Sequence, residues 1–210
     1  MANKLPGGLY ALIDEQLRPE LPVLEKARAA IEGGVKVLQL RLKASPDRPA
    51  IAVIRAVLAL ARPSEVVVIV NDRVDWALVT GADGVHLGDA DLPPDEARAV
   101  LGARALIGVT ARNIDEIRAA QALGADHVGV GPIFTTSTKV VDAPPLGLEA
   151  FDRIARASPL PVVGIAGITL ATIGAVARAG AHAAAVGGDL LLADDLVSRA
   201  KALQEAFWRS

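Results

Sequence analysis

The 210-residue sequence contains no cysteine. Disulfides, thiol nucleophiles and cysteine-ligated metals are excluded together. A reducing compartment fits that composition, and a cytoplasmic location is the expectation. Aromatic residues are scarce, at 3% of the chain. Neither sign of charge dominates, with 22 Lys and Arg against 24 Asp and Glu. The lack of a basic block argues against a dedicated nucleic-acid binder or a polybasic membrane surface. Single phosphates stay open, because they need only local N–H groups and one or two cations. Residues Met1 to Gly8 carry no long apolar core, so no signal peptide is expected. The longest branched runs, such as Val66 to Val70, fall far short of the ~18 residues of a membrane span.

What the chain does hold is aliphatic bulk. Hydrophobic residues make up 52% of it, and mean hydropathy is +0.39. Ala, Val, Leu and Ile supply this, enough for a sizeable core. Short branched runs alternate with helical patterns. The runs start at Leu9-Tyr10-Ala11-Leu12-Ile13, Val35 to Leu40, Val66 to Val70, Gly84 to Leu87, Leu106 to Val109, His127 to Val130, Val162 to Ile165 and Ala183 to Val186. Helical segments fall between them, near Pro22–Glu32, Pro49–Ala61, Val74–Thr80, Leu148–Ala157, Thr169–Ala179 and Leu196–Trp208, with one opened by Pro93-Pro94 and one by Asn113. Gly81-Ala82-Asp83, Gly124-Ala125-Asp126 and Gly180-Ala181-His182 each precede a strand. This repetition predicts one architecture throughout residues 1–210. Strict alternation implies a parallel sheet. Eight β/α units in one domain of this length predict an α/β fold, a single-domain (β/α)8 TIM barrel near the ~200-residue lower limit of that fold. An open doubly wound sheet is the alternative, but no Gly-x-Gly-x-x-Gly follows the first run.

A barrel of this kind does its chemistry at the C-terminal ends of its strands. Gln39, Arg41 and Lys43 follow one another at alternate positions, so they share a face. Asn71-Asp72-Arg73 closes the third run, and Asp91 follows the fourth. Each Asp taken alone reads as a helix cap. Together at neighbouring strand ends, they suggest Mg²⁺ held partly through substrate phosphate oxygens. Thr135 to Thr138 and Lys139 offer hydroxyl and ammonium donors for an anion, in a long loop with the character of a lid. Gly164-Ile165-Ala166-Gly167 and Gly187-Gly188 follow the last two runs. There, backbone N–H groups can approach a phosphate. His86, His127 and His182 read as structural, the last two because they open strands at the far end of a barrel.

These residues together resemble the thiamine-phosphate synthase family over nearly the whole chain. The resemblance runs through Gln39-Leu40-Arg41-Leu42-Lys43, Asn71-Asp72-Arg73, Gly84 to Gly88 with Asp91, and Val128 to Phe134 with Thr136, Thr138 and Lys139. It ends in Gly164 to Ile168. It implies a transferase that joins hydroxymethylpyrimidine diphosphate to a thiazole phosphate, releasing pyrophosphate. It implies Gln39, Arg41, Lys43, Asn71 and Lys139 around the diphosphate and pyrimidine, and Thr110 near the pyrimidine. Asp72 and Asp91 would hold Mg²⁺. Thr136, Thr138, Gly167 and the Gly187-Gly188 backbone would meet the thiazole phosphate. Arg41, Lys43 and Lys139 would stabilise charge on the departing pyrophosphate. Asp89, Arg112 and Gly187-Gly188 depart from the family pattern, where Gln, His and a Ser-containing loop are usual.

A thiazole tautomerase is the nearest rival, but Pro132 stands where that enzyme has His, and proline is neither acid nor base. A barrel that binds thiamine-pathway phosphates without turning them over is the other. Apolar helix faces near Phe207-Trp208 would be natural contacts in a homo-oligomer.

Overall fold

A computed structural model of the chain describes residues 4–136 and 144–209. Eight strands close into a parallel barrel in chain order. They are β1 (Gly8–Asp14), β2 (Val37–Arg41), β3 (Val67–Asn71), β4 (Gly84–Leu87), β5 (Leu106–Ala111), β6 (His127–Val130), β7 (Val162–Gly164) and β8 (Ala183–Val186). The seam pairs Gly8 with Ala183 through Ala11 with Val186. Between the strands lie α1 (Val23–Glu32), α2 (Asp47–Ala61), α3 (Val74–Thr80), α4 (Pro94–Leu101), α5 (Ile114–Ala122), α6 (Gly147–Ala157) and α7 (Ile173–Arg178). After β8 come α8 (Gly188–Leu191) and α9 (Leu196–Trp208). The TIM-barrel reading therefore holds. The differences are at the edges. Residues Thr169 to Thr172 form a turn before α7, with Thr169 N–H donating to Thr172 Oγ1 at 2.9 Å. The short α8 directly after β8 was not expected.

Period decides which residues build each layer. In α2, Ala50, Ile54, Val57, Leu58 and Ala61 are buried, one face of a 3.6-residue repeat. In β3, Val68 and Val70 pack outward into the layer under the helices. Ile69 points inward, to a second core with Leu5, Tyr10, Val37, Leu106, Val163 and Ala183. The continuous branched run is thus buried on both faces. That inner core fills the lower barrel and leaves the upper strand ends for polar side chains.

Two helix starts follow side-chain chemistry. Asn113 accepts from the N–H groups of Asp115 and Glu116, and Asp195 accepts from that of Ser198 at 3.0 Å. Glu116 returns a bond to the Arg112 N–H at 2.6 Å, one residue earlier than a capping box would place it. At the C-terminus, Phe207 is buried in the core and only Trp208 is exposed. The apolar face expected there is therefore half core.

Candidate active site

The upper barrel opens into a cavity of about 800 Å³, ample for two small phosphorylated substrates. Its wall carries Gln39, Arg41, Asn71, Thr110, Thr136, Gly167, Gly187 and Gly188. Alternation along β2 sends Gln39 and Arg41 inward at different depths, ~7 Å apart along the strand. Gln39 is buried, and its Nε2 donates to the Tyr10 hydroxyl at 2.9 Å. Arg41 lies nearer the mouth and donates to Asp14 Oδ2 at 2.7 Å. Asp14 is itself anchored, since its other oxygen accepts from the Gln16 N–H at 2.8 Å and its backbone carbonyl accepts from the buried Lys26 Nζ at 3.1 Å. The guanidinium therefore has a fixed origin on the cavity wall.

Lys43 lies beyond the strand end, in a loop tied down by Glu15. That carboxylate accepts from the N–H groups of Ala44 and Ser45 and from the Ser45 hydroxyl. Lys43 Nζ pairs with Asp72. Asp72 sits at φ 62°, a left-handed conformation that Asp tolerates, and its N–H donates to the His86 carbonyl at 2.8 Å. Neither Asp caps a helix: α3 and α4 have no side-chain cap. Asp91 Oδ2 instead accepts from the Gly88 N–H at 2.7 Å. Burial and the neighbouring Asp72 raise the Asp91 carboxyl above the usual range, against the Gly88 N–H and Lys43. Two neighbouring carboxylates of this kind suit a hard divalent cation that keeps other ligands from water or substrate. Among the described residues no group of three or more His, Cys, Asp or Glu is gathered for a metal. Lys43, Asp72 and Asp91 stand outside the cavity wall proper. Arg73 is spent elsewhere, on Asp47, Asp75 and the Trp76 ring 4.1 Å away.

The opposite wall is built from backbone. Ala166 and Gly167 are both left-handed, at φ 68° and 69°. A Cβ on Gly167 would lie 2.5 Å from the Thr135 carbonyl oxygen, so only glycine fits this turn. Gly187 differs: its φ is −112°, and a Cβ would meet Leu12 at an ordinary 3.5 Å. Glycine there widens the cavity without being sterically required. Asp189 follows and accepts from the Leu170 N–H at 3.2 Å and Arg199 Nη1 at 2.9 Å. This ties the loop after β7 to the loop after β8.

Asp89 and Arg112, two of the departures, also line the cavity. Arg112 Nη2 donates to the Pro144 carbonyl at 3.0 Å. Thr138 and Lys139 lie outside the described residues. Sequence reasoning missed Tyr10, Asp14, Asp189 and Arg199; His127 opens β6, as expected. That ring is fully buried yet on the cavity wall with His86. His86 Nε2 stands 3.1 Å from Thr110 Oγ1, and the two imidazoles are 5.9 Å apart. Burial, with His86 and His182 adding, lowers the His127 pKa to about 3, so the ring is neutral.

A closed parallel barrel with a cationic wall, paired carboxylates and glycine loops at its strand tops defines a barrel enzyme that handles phosphorylated small molecules. The model of the family described as thiamine monophosphate synthase matches residues 9–190. A thiamine-phosphate synthase of Myxococcus xanthus is 54% identical over 203 residues, covering 97% of this chain and 93% of its own. One from Anaeromyxobacter dehalogenans is 49% identical over 201 residues, covering 96% and 88%. A solved thiamine phosphate pyrophosphorylase from Pyrococcus furiosus superposes with a TM-score of 0.88 at 32% identity, covering 96% of both chains. The chain belongs to the thiamine monophosphate synthase family. Membership makes it a transferase of thiamine biosynthesis. No helix among the described residues is long and apolar enough to cross a membrane.

Proposed function

We propose that the chain is a magnesium-dependent thiamine-phosphate synthase. In this reading, hydroxymethylpyrimidine diphosphate and thiazole phosphate become thiamine phosphate and pyrophosphate. The carrying observation is one cavity wall presenting Gln39, Arg41, Asn71, Thr110 and Thr136 together, in a family member this similar.

The bond from the pyrimidine methylene carbon to the diphosphate oxygen breaks, and its electron pair leaves with pyrophosphate. Positive charge on the methylene carbon spreads into the ring through the amino group. The thiazole nitrogen lone pair then forms the new carbon–nitrogen bond. Neither step needs a protein nucleophile, in keeping with the absence of cysteine. The buried, uncharged floor around Gln39 and Tyr10 suits the pyrimidine. Arg41 and Lys43, farther out, face the diphosphate with Asn71 beside them, and Lys139 would supply a further cation. Fixed cations stabilise the leaving group as its charge develops and need no reorganisation at that moment. Thr110 orients the pyrimidine. Thr136, Thr138 and the Gly167 and Gly187-Gly188 backbone hold the thiazole phosphate. Asp72 and Asp91 would hold Mg²⁺, which supplies Lewis-acid neutralisation of the diphosphate when bound.

Asp72→Ala tests the metal assignment. Pyrophosphate release by wild type should rise with Mg²⁺ and saturate. The variant should lose both the activity and the response, and an unchanged Mg²⁺ response would reject Asp72 as a ligand.

A further inference from the structure

We propose that Tyr10 is a positioning residue that turns the Gln39 carboxamide oxygen toward the ring subsite, making that subsite selective for an aminopyrimidine over an oxopyrimidine. The inference rests on the placement of the pyrimidine against Gln39 given above.

Tyr10 is the sole tyrosine of the chain, and its ring belongs to the inner core. Tyr10 and Gln39 are 1% and 6% exposed, so water does not compete freely for their bond. A carboxamide has a donating and an accepting end of nearly equal shape, and the hydrogen-bond network decides which end faces outward. Here Nε2 donates to the Tyr10 oxygen, which leaves Oε1 as the acceptor for a ligand.

The hydroxyl could in principle donate to the amide oxygen instead, and the floor of the cavity opposes this. His127 Nδ1 and Nε2 are the buried side-chain polar atoms without a partner among the described residues. The neutral ring holds one acceptor nitrogen, and its centroid is 6.4 Å from that of Tyr10. That acceptor favours a Tyr10 hydrogen turned away from the amide. The tyrosine oxygen is then left to accept from Gln39. Burial raises the Tyr10 hydroxyl well above its usual range, so it keeps that hydrogen at all working pH. An exocyclic amino group donates to Oε1, whereas an oxo group meets it lone pair to lone pair. A site built to pair one polarity leaves the other unpaired when the wrong ring binds.

The test measures dissociation constants by calorimetry for two unreactive probes, the 4-amino and 4-oxo forms of hydroxymethylpyrimidine monophosphate. Wild type should prefer the amino probe by about tenfold or more, the value of one correctly paired polar contact. Tyr10→Phe removes one oxygen and frees the amide to rotate. Its preference should shrink by at least about fivefold, mainly through tighter oxo binding. Thiazole phosphate should bind it within about twofold of wild type. A wild-type preference in Tyr10→Phe overturns the proposal. Gln39→Leu separates the two levels: lost preference there but not in Tyr10→Phe overturns the role of Tyr10 alone. Unchanged preference in Gln39→Leu overturns the placement of the pyrimidine as well.

Discussion

Gly108→Ala tests how the polar floor of the barrel is packed. The added Cβ would lie 2.2 Å from His127 Nε2, 2.5 Å from its Cε1 and 2.7 Å from His86 Nδ1. Ordinary contact needs about 1 Å more on each of these. Both rings are held in the barrel floor, His127 fully buried with the His86 centroid 5.9 Å away. Relief comes from moving these rings, and Thr110 moves with His86 through their 3.1 Å contact. Overpacking of this kind costs about 2–3 kcal/mol. For a domain of this length that is a fall of roughly 5–10 °C in Tm. If Thr110 orients the pyrimidine, kcat/KM for the pyrimidine diphosphate should fall about tenfold or more, with the KM for thiazole phosphate nearly unchanged. Calorimetric unfolding and steady-state kinetics with each substrate varied separately would show this. A Tm within about 2 °C of wild type together with unaltered pyrimidine kinetics would refute the reasoning.

Other outcomes follow from single contacts. Asp14→Asn keeps the Gln16 N–H bond but frees the Arg41 guanidinium and removes a negative charge near the diphosphate. The expected result is a kcat lower by about tenfold with diphosphate KM unchanged or lower; an unchanged kcat would contradict the anchoring role. Lys139→Ala should lower kcat more than it weakens diphosphate binding, and turnover equal to wild type would sink that assignment. His127 titrates at about 3 in the folded chain against an ordinary 6.5. The unfolded chain therefore takes up a proton that the folded chain refuses. The stability tied to the neutral ring is full above pH 6.5 and falls as pH drops toward 3, by ~1.4 kcal/mol per unit. Urea titrations between about pH 7.5 and 4.5 should show a shallower fall in His127→Leu; identical slopes would contradict it.

Period and punctuation made the barrel legible. The strands are short apolar runs, and most helices are bracketed by a cap or a glycine, so local and global preferences agree. The strand-top rule then located Gln39, Arg41, Asn71 and Thr110, because alternation fixes which side chains face inward. What stayed hidden was pairing across the barrel. Nothing in the sequence near Arg41 announces Asp14, which is 27 residues away. Arg199 reaches the last glycine loop from α9, and an amphipathic pattern does not single it out. His127 opens β6 and is fully buried, as expected of a structural residue there. Gly108 and Gly129 leave room that the His127 and His86 rings occupy, which brings both imidazoles to the cavity lining. The capping reading of Asp72 and Asp91 was sound for each alone, but neither helix start uses them.

The central claim is tested most directly by mass spectrometry of the products made by the purified chain. The reaction would hold hydroxymethylpyrimidine diphosphate and thiazole phosphate, with and without Mg²⁺. The account predicts thiamine phosphate and pyrophosphate in equal amounts, only when both substrates and the cation are present. Bound substrates without thiamine phosphate, or isomerised thiazole phosphate in its place, would contradict it.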